Sequence, residues 1–170
     1  SIGFESLRYM TSGSYNVAIG MQALRNSTAS NYNTAVGYQS MYNGSTGDQN
    51  AAFGYTALYG NTIGSGNAAF GFQALLNNTT GYNNTSIGHN ALVYNTTGIY
   101  NTAVGKDAAF SNIYGANNTA LGYAALYYNT SSNSLTAVGW QSLYSNTTGT
   151  QNTALGHQSM RYNKIGRAHV

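Results

Sequence analysis

Asn33-Thr34-Ala35-Val36-Gly37-Tyr38-Gln39-Ser40-Met41-Tyr42-Asn43-Gly44-Ser45-Thr46-Gly47-Asp48-Gln49 is followed at once by Asn50-Ala51-Ala52-Phe53-Gly54-Tyr55, the same residue classes in the same order. The echo extends along the chain. Gly3, Gly20, Gly37, Gly54, Gly71, Gly88, Gly105, Gly122, Gly139 and Gly156 each stand 17 residues apart. Counted from the Asn that usually opens it, the unit reads N-T-A-[VIFL]-G-[aromatic]-Q-[AS]-[LM]-Y-x-N-T-T-G-x-x. A fixed period of this kind is the signature of a repeat architecture, in which each unit is one turn of a spiral.

A 17-residue coil cannot bury an apolar face alone, but coils stacked about 4.8 Å apart pair their backbones and align identical side chains into continuous columns. The expected fold is all-β, a β-solenoid of the β-roll or β-helix kind with ten coils, forming an elongated rod or filament roughly 48 Å long. Position 3 is Ala in nearly every unit. Position 4 is Val36, Phe53, Phe70, Ile87, Val104, Leu121, Val138 or Leu155, and position 9 is Leu or Met except at Ala109. These three positions are the expected core. Two extended segments are expected per unit, over N-T-A-V-G and Y-Q-A-L-Y, joined through glycine and closed by the N-T-T-G turn. The competing reading makes Y-Q-A-L-Y a helical turn, as in leucine-rich repeats, although those units need about 20 residues or more.

Polar positions also repeat. Asn16, Asn33, Asn50, Asn67, Asn84, Asn101, Asn118 and Asn152 share position 1, and Gln22, Gln39, Gln73, Gln141 and Gln158 share position 7. Stacked identical amides can hydrogen-bond from coil to coil, as in cross-β assemblies. Proline is absent, which suits an uninterrupted backbone ladder.

Composition narrows the function classes. Only 5% of residues are charged, yet 42% are apolar and 16 are Tyr, far from the charged, aromatic-poor makeup of disordered chains. Six basic and three acidic residues give a net charge of +3, with too few Lys and Arg to neutralise phosphates along one face, so no nucleic-acid partner is expected. No run approaches 18 apolar residues, so no membrane span is expected in this segment. Cysteine is absent, which removes disulfides and thiolate metal sites. The array is expected to occupy residues 1–164. It starts inside a repeat without a leader and carries no polar cap at either end, which suggests a fragment of a longer array or a chain that polymerises. Residues 165–170, Ile-Gly-Arg-Ala-His-Val, break the pattern and look like the translation of a sequencing adapter, the alternative being a natural terminus.

Catalysis needs converging acids, bases or nucleophiles. The supply is Glu5, Asp48, Asp107, His89, His157 and His169. His89 and His157 share position 6 but lie four coils apart, about 19 Å, too far to hold one metal. The chain is therefore not expected to be an enzyme, and no catalytic residue, metal or cofactor is assigned. Two aromatic columns are candidate interaction sites: Tyr38, Tyr55, Phe72, Tyr123 and Trp140 at position 6, and Tyr42, Tyr59, Tyr127 and Tyr144 at position 10, with Phe110. They either pack between coils or chains, or form an adhesive or sugar-stacking stripe. N-glycosylation sequons recur with the turn, at Asn78, Asn95, Asn129 and Asn146 in position 12 and at Asn26 and Asn43 one residue earlier; an outward turn would carry a glycan without disturbing the core. Thr columns at positions 2 and 13 also suit ice binding, but Val17, Ala51 and Ala68 interrupt the first.

The units Asn33-Thr-Ala-Val-Gly-Tyr-Gln-Ser-Met41 and Asn118-Thr-Ala-Leu-Gly-Tyr-Ala-Ala-Leu126 resemble the head repeats of trimeric autotransporter adhesins and related phage tail-fibre repeats. The likeness runs through almost the whole chain in its T-A-[VIL]-G signature. It implies a β-roll at a cell or virion surface, often trimeric, that binds host or matrix. The 17-residue period with its N-T-T-G turn is longer than the usual unit of that family. The expected function is thus an extracellular structural fibre, self-associating as a filament or homo-oligomer such as a trimer, with the sequons as its candidate glycan sites. The alternative is an adhesin or tail-fibre segment that binds host or carbohydrate, and an ice-binding solenoid ranks below both.

Overall fold

A computed structural model describes residues 1–163; the tail at 165–170, and with it the adapter reading, lies outside the described residues. Among the described residues nine three-residue strands recur: β1 (Val17–Ile19), β2 (Thr34–Val36), β3 (Ala51–Phe53), β4 (Ala68–Phe70), β5 (Thr85–Ile87), β6 (Thr102–Val104), β7 (Thr119–Leu121), β8 (Thr136–Val138) and β9 (Thr153–Leu155). They form one parallel sheet in sequence order. Every residue pairs with the one 17 positions on, from Ala18 with Ala35 to Ala137 with Ala154. An isolated parallel bridge from Ile2 to Ile19 joins the first coil to the stack. The protein is an all-β solenoid, and its ten sequence units appear as nine paired strands and one bridged coil.

Successive strand side chains point to opposite faces. The middle residue, position 3, therefore faces inward, and the Ala column there is sealed from solvent, as at Ala35, Ala69, Ala103 and Ala137. The opposite wall is made by Ala or Ser at position 8 and by Leu or Met at position 9, with Leu58, Leu75 and Leu92 fully buried. Position 4 corrects the expected core. It shares a face with position 2 and points out of the solenoid, so that Ile19, Phe53, Phe70 and Ile87 are each between 36% and 41% exposed. The interior is narrow, one Ala methyl against one Leu side chain.

The second extended segment is a further correction. Positions 6 to 11 form turns, and no residue of Y-Q-A-L-Y lies in a strand or a helix. The cause is an alternating backbone: positions 7 and 9 adopt left-handed φ, near 50° at both Gln39 and Met41. This curls the chain around the core yet keeps it bonded to both neighbours. The Gln39 amide donates back to the Met21 carbonyl at 2.9 Å, and the Met41 amide donates forward to the Ala57 carbonyl at 3.0 Å. Non-glycine residues occupy the left-handed region at a cost of the order of 1 kcal/mol each, which stacking on two neighbours must offset.

Glycine at position 5 is required for two reasons. Gly88 has a φ of 135°, and a Cβ built there would lie 2.6 Å from the carbonyl oxygen of Gly105 in the next coil. The obstruction is backbone and cannot rotate away. Position 1 supplies the polar counterpart. Asn84 is buried; its Nδ2 donates to the Gly98 carbonyl of its own coil at 2.8 Å, and its Oδ1 accepts from the Asn101 backbone amide at 2.9 Å and Asn101 Nδ2 at 3.1 Å. The amide ties the turn to the strand and each coil to the next, leaving no buried polar atom of its own unpaired. At position 7 the ladder is confined to parts of the rod, with Gln39 Nε2 donating to Gln22 Oε1 at 2.7 Å and Gln22 Nε2 to Glu5 Oε2 at 2.9 Å.

Gly88→Ala is expected to destabilise the solenoid by at least about 2 kcal/mol through combined backbone strain and inter-coil collision. Thr102→Ala, on the outward face of β6, should stay within about 0.5 kcal/mol of the parent. Denaturant unfolding followed by circular dichroism separates the two.

Candidate interaction faces

The outward side of the sheet is the first face. Position 4 places Ile2, Ile19, Val36, Phe53, Phe70, Ile87, Val104, Leu121, Val138 and Leu155 in one axial file, every member apolar and none fully buried. Phe53 and Phe70 stack within it at 4.9 Å between centroids. Beside this file runs position 2, Thr in β2 and in β5 through β9 and Val or Ala in the other three strands. The Thr column thus runs unbroken over five consecutive strands on the C-terminal side, and its hydroxyl-bearing side chains are half-buried or exposed. The Thr column at position 13 faces other work. Thr62 and Thr79 Oγ1 donate to the position-13 carbonyls of the next coil at 3.0 Å each.

The position-6 column is the second face. Tyr38, Tyr55, Phe72 and His89 form a continuous parallel stack with centroids 4.9–5.1 Å apart. Lys106 interrupts it, its Nζ 5.9 Å from the Tyr123 ring, and the stack resumes through Tyr123, Trp140 and His157. The two His residues keep to separate stacks, on Phe72 and on Trp140. The rings spend their faces on one another and turn their edges to solvent, with Tyr55 48% and Trp140 40% exposed. A sugar ring laid flat on an aromatic needs a free face, which this arrangement offers chiefly at the ends of each stack.

The position-10 column splits into two groups. Tyr42 and Tyr59 stack at 5.1 Å, with Arg25 Nη1 donating to the Tyr42 hydroxyl at 3.1 Å. Phe110, Tyr127 and Tyr144 stack further along, and Tyr94 and Tyr128 meet them edge-on. Desolvation, reinforced by the Asp107 carboxylate, raises the Tyr127 phenol above its ordinary 10.0. Desolvation, and then the hydrogen bond with Tyr128, does the same for Tyr144.

The turn asparagines correct the expectation of an outward glycan site. Asn78, Asn95, Asn129 and Asn146 are buried, with at most 1% of their surface exposed. Each is part of a second internal amide ladder. Asn95 Nδ2, the atom a glycan would occupy, donates to the Gly98 carbonyl at 3.0 Å and to Asn78 Oδ1 at 2.8 Å. The turn needs that inward amide because it satisfies the same position-15 carbonyl as the position-1 ladder. Asn26 and Asn43 are half-buried, and Asn26 Nδ2 donates to Asn43 Oδ1 at 3.1 Å. The sequence reading missed two sequons that do face solvent, at Asn83 and Asn117 in position 17. Each is followed by Asn-Thr, so the pattern was legible but was absorbed into the opening of the next unit.

These features define a repetitive β-solenoid whose asparagine ladders are internal and whose exterior carries one apolar file and two aromatic columns. No family model, curated protein or solved structure matches the chain.

Two outcomes follow. Asn95→Asp places a buried carboxylate against two acceptor oxygens and should cost about 3 kcal/mol or more, whereas Asn117→Asp at the surface should be near neutral in the same unfolding assay. Tyr127 and Tyr144 hold their protons more firmly folded than unfolded. Their contribution is therefore complete below pH 10 and declines as pH rises past 10, where the unfolded phenols ionise first. Stability measured against pH in that range should fall less steeply for Tyr127→Phe than for the parent.

Proposed function

We propose that the chain is a rod segment of an extracellular structural fibre in which copies associate side by side through the outward face of the sheet. The observation that carries this reading is the position-4 file, ten apolar residues on the exterior of a regular parallel sheet. Soluble monomers rarely leave large contiguous apolar patches uncovered. Nine strands at about 4.8 Å, taken over their three residues from position 2 to position 4, offer roughly 430 Å², about half of the ~800 Å² that each partner contributes to a standard interface. The scarcity of charge fits a surface that meets its own copy without burying unpaired ions. The likeness of the N-T-A-V-G units to adhesin-head and tail-fibre repeats supports the same placement at a cell or virion surface, with a trimer as one closed form of the assembly.

Adhesion is the second reading, and the position-6 column favours it. Its exposed aromatic edges form a stripe along the rod, and Tyr and Trp are the residues that binding surfaces use most.

Phe53→Glu combined with Phe70→Glu tests the assembly. Sedimentation velocity should show the parent well above its 18.0 kDa monomer mass and the double variant reduced to monomer with an unchanged circular dichroism spectrum. A parent that stays monomeric at high concentration overturns the fibre reading. Tyr55→Ala with Phe72→Ala should leave assembly intact, and a loss of cell-surface binding by this variant would move the function to adhesion.

A further inference from the structure

We propose that Tyr15 and Tyr32 are an oxidative cross-linking site that staples two adjacent coils through a dityrosine bond. Both occupy position 17, and their rings lie parallel, 9° apart in plane and 5.0 Å between centroids. Their backbones are already tied together, the Tyr32 amide donating to the Ser14 carbonyl at 3.1 Å. They are also unusually open, 76% and 57% exposed. The other close tyrosine pairs lack one of these features. Tyr38 and Tyr55 belong to a longer stack that continues into Phe72. Tyr42 carries the Arg25 guanidinium over its ring. Tyr82 and Tyr100 meet edge to face, so their ortho carbons do not run side by side.

The co-reactants are a peroxidase-type one-electron oxidant and hydrogen peroxide. Each phenol gives up one electron and its hydroxyl proton, leaving two phenoxyl radicals. These join through one ring carbon ortho to each oxygen, forming a carbon–carbon bond. Each joined carbon then passes its hydrogen to its phenolic oxygen, which restores both aromatic rings. Hydrogen peroxide takes up the two electrons and two protons and leaves as two water molecules. Exposure lets a macromolecular oxidant reach both rings and lets the side chains swing edge to edge. Adjacency makes the coupling unimolecular, so it outcompetes encounters between chains. In a chain without cysteine, the bond would lock one coil to the next at a place where the fold already holds the partners in register. The site lies within one chain and does not depend on the fibre reading.

The test is to treat the full chain with a peroxidase and hydrogen peroxide, isolate the species of monomer mass on a denaturing gel, and map it with trypsin. Cleavage after Arg8, Arg25 and Lys106 places Tyr15 in peptide 9–25 and Tyr32 in peptide 26–106. The expected product is these two peptides joined, with dityrosine fluorescence. Tyr15→Phe and Tyr32→Phe, which keep the stacked rings and should keep the parent circular dichroism spectrum, should each abolish it. Tyr9 shares the first peptide, so survival of the joined product in Tyr15→Phe would overturn the assignment. Survival in Tyr32→Phe would do the same. Wild-type chain that yields no 9–25/26–106 product, or the same yield when treated in denaturant, overturns it without any variant.

Discussion

The approach of one glycine to the next sets the geometry of the whole rod. A Cβ on Gly54, Gly71 or Gly139 would fall within 2.5 Å of the carbonyl oxygen of the following position-5 glycine. At this corner the coils are stacked as closely as bare backbone allows. The strand that precedes it is thereby held in register with its neighbours, the Ala column beside it can close on the Leu wall, and the position-1 amide can reach both its own turn and the next coil. Interiors pack densely because small deviations forfeit many contacts. In this narrow core one misplaced corner would be felt along the adjoining coils.

Much of the architecture was legible in the sequence because it depends on repetition. The glycine spacing gave the stack and its register, and the Asn column at position 1 gave an internal ladder that the structure forms from Asn33 through Asn118. Position 4 was misread because an apolar file looks the same whether it faces a core or the outside, and burial of apolar residues is only a one-way rule. Strand alternation across Thr34-Ala35-Val36 was the available corrective: with Ala35 inside, Val36 cannot be. The Y-Q-A-L-Y segment was misread for another reason. Left-handed φ at Gln39 and Met41 contradicts the preferences of both residues, and only the stacked neighbours impose it, so no local pattern announces it.

The sequons mark a similar boundary. Asn-Thr-Thr-Gly reads as a surface turn, and its backbone does turn at the surface. Its asparagine points inward because the position-15 carbonyl beneath it would otherwise be buried with one donor fewer. Turn chemistry predicts the bend, but the direction of the side chain follows from the polar accounting of the interior. The exterior shows the converse. Aromatic rings at position 6 that could have lined a pocket are instead spaced by the coil rise, which fixes them face to face and decides what they can offer a partner.

The two internal amide ladders run one way. Asn78 donates to Asn61, Asn95 to Asn78 and Asn112 to Asn95, always from the later coil to the earlier, and position 1 keeps the same sense. The backbone bonds between coils run in both senses, as Gln39 and Met41 illustrate, those with the donor on the earlier coil being the more numerous. The side-chain amides do not. Their dipoles add along the axis much as peptide dipoles add along a helix, and each polarises the next. The two ladders are therefore directional, with amide hydrogens leading toward the N-terminal side and carbonyl oxygens toward the C-terminal side. Any further coil must join with the same polarity, head to tail, to continue the ladders.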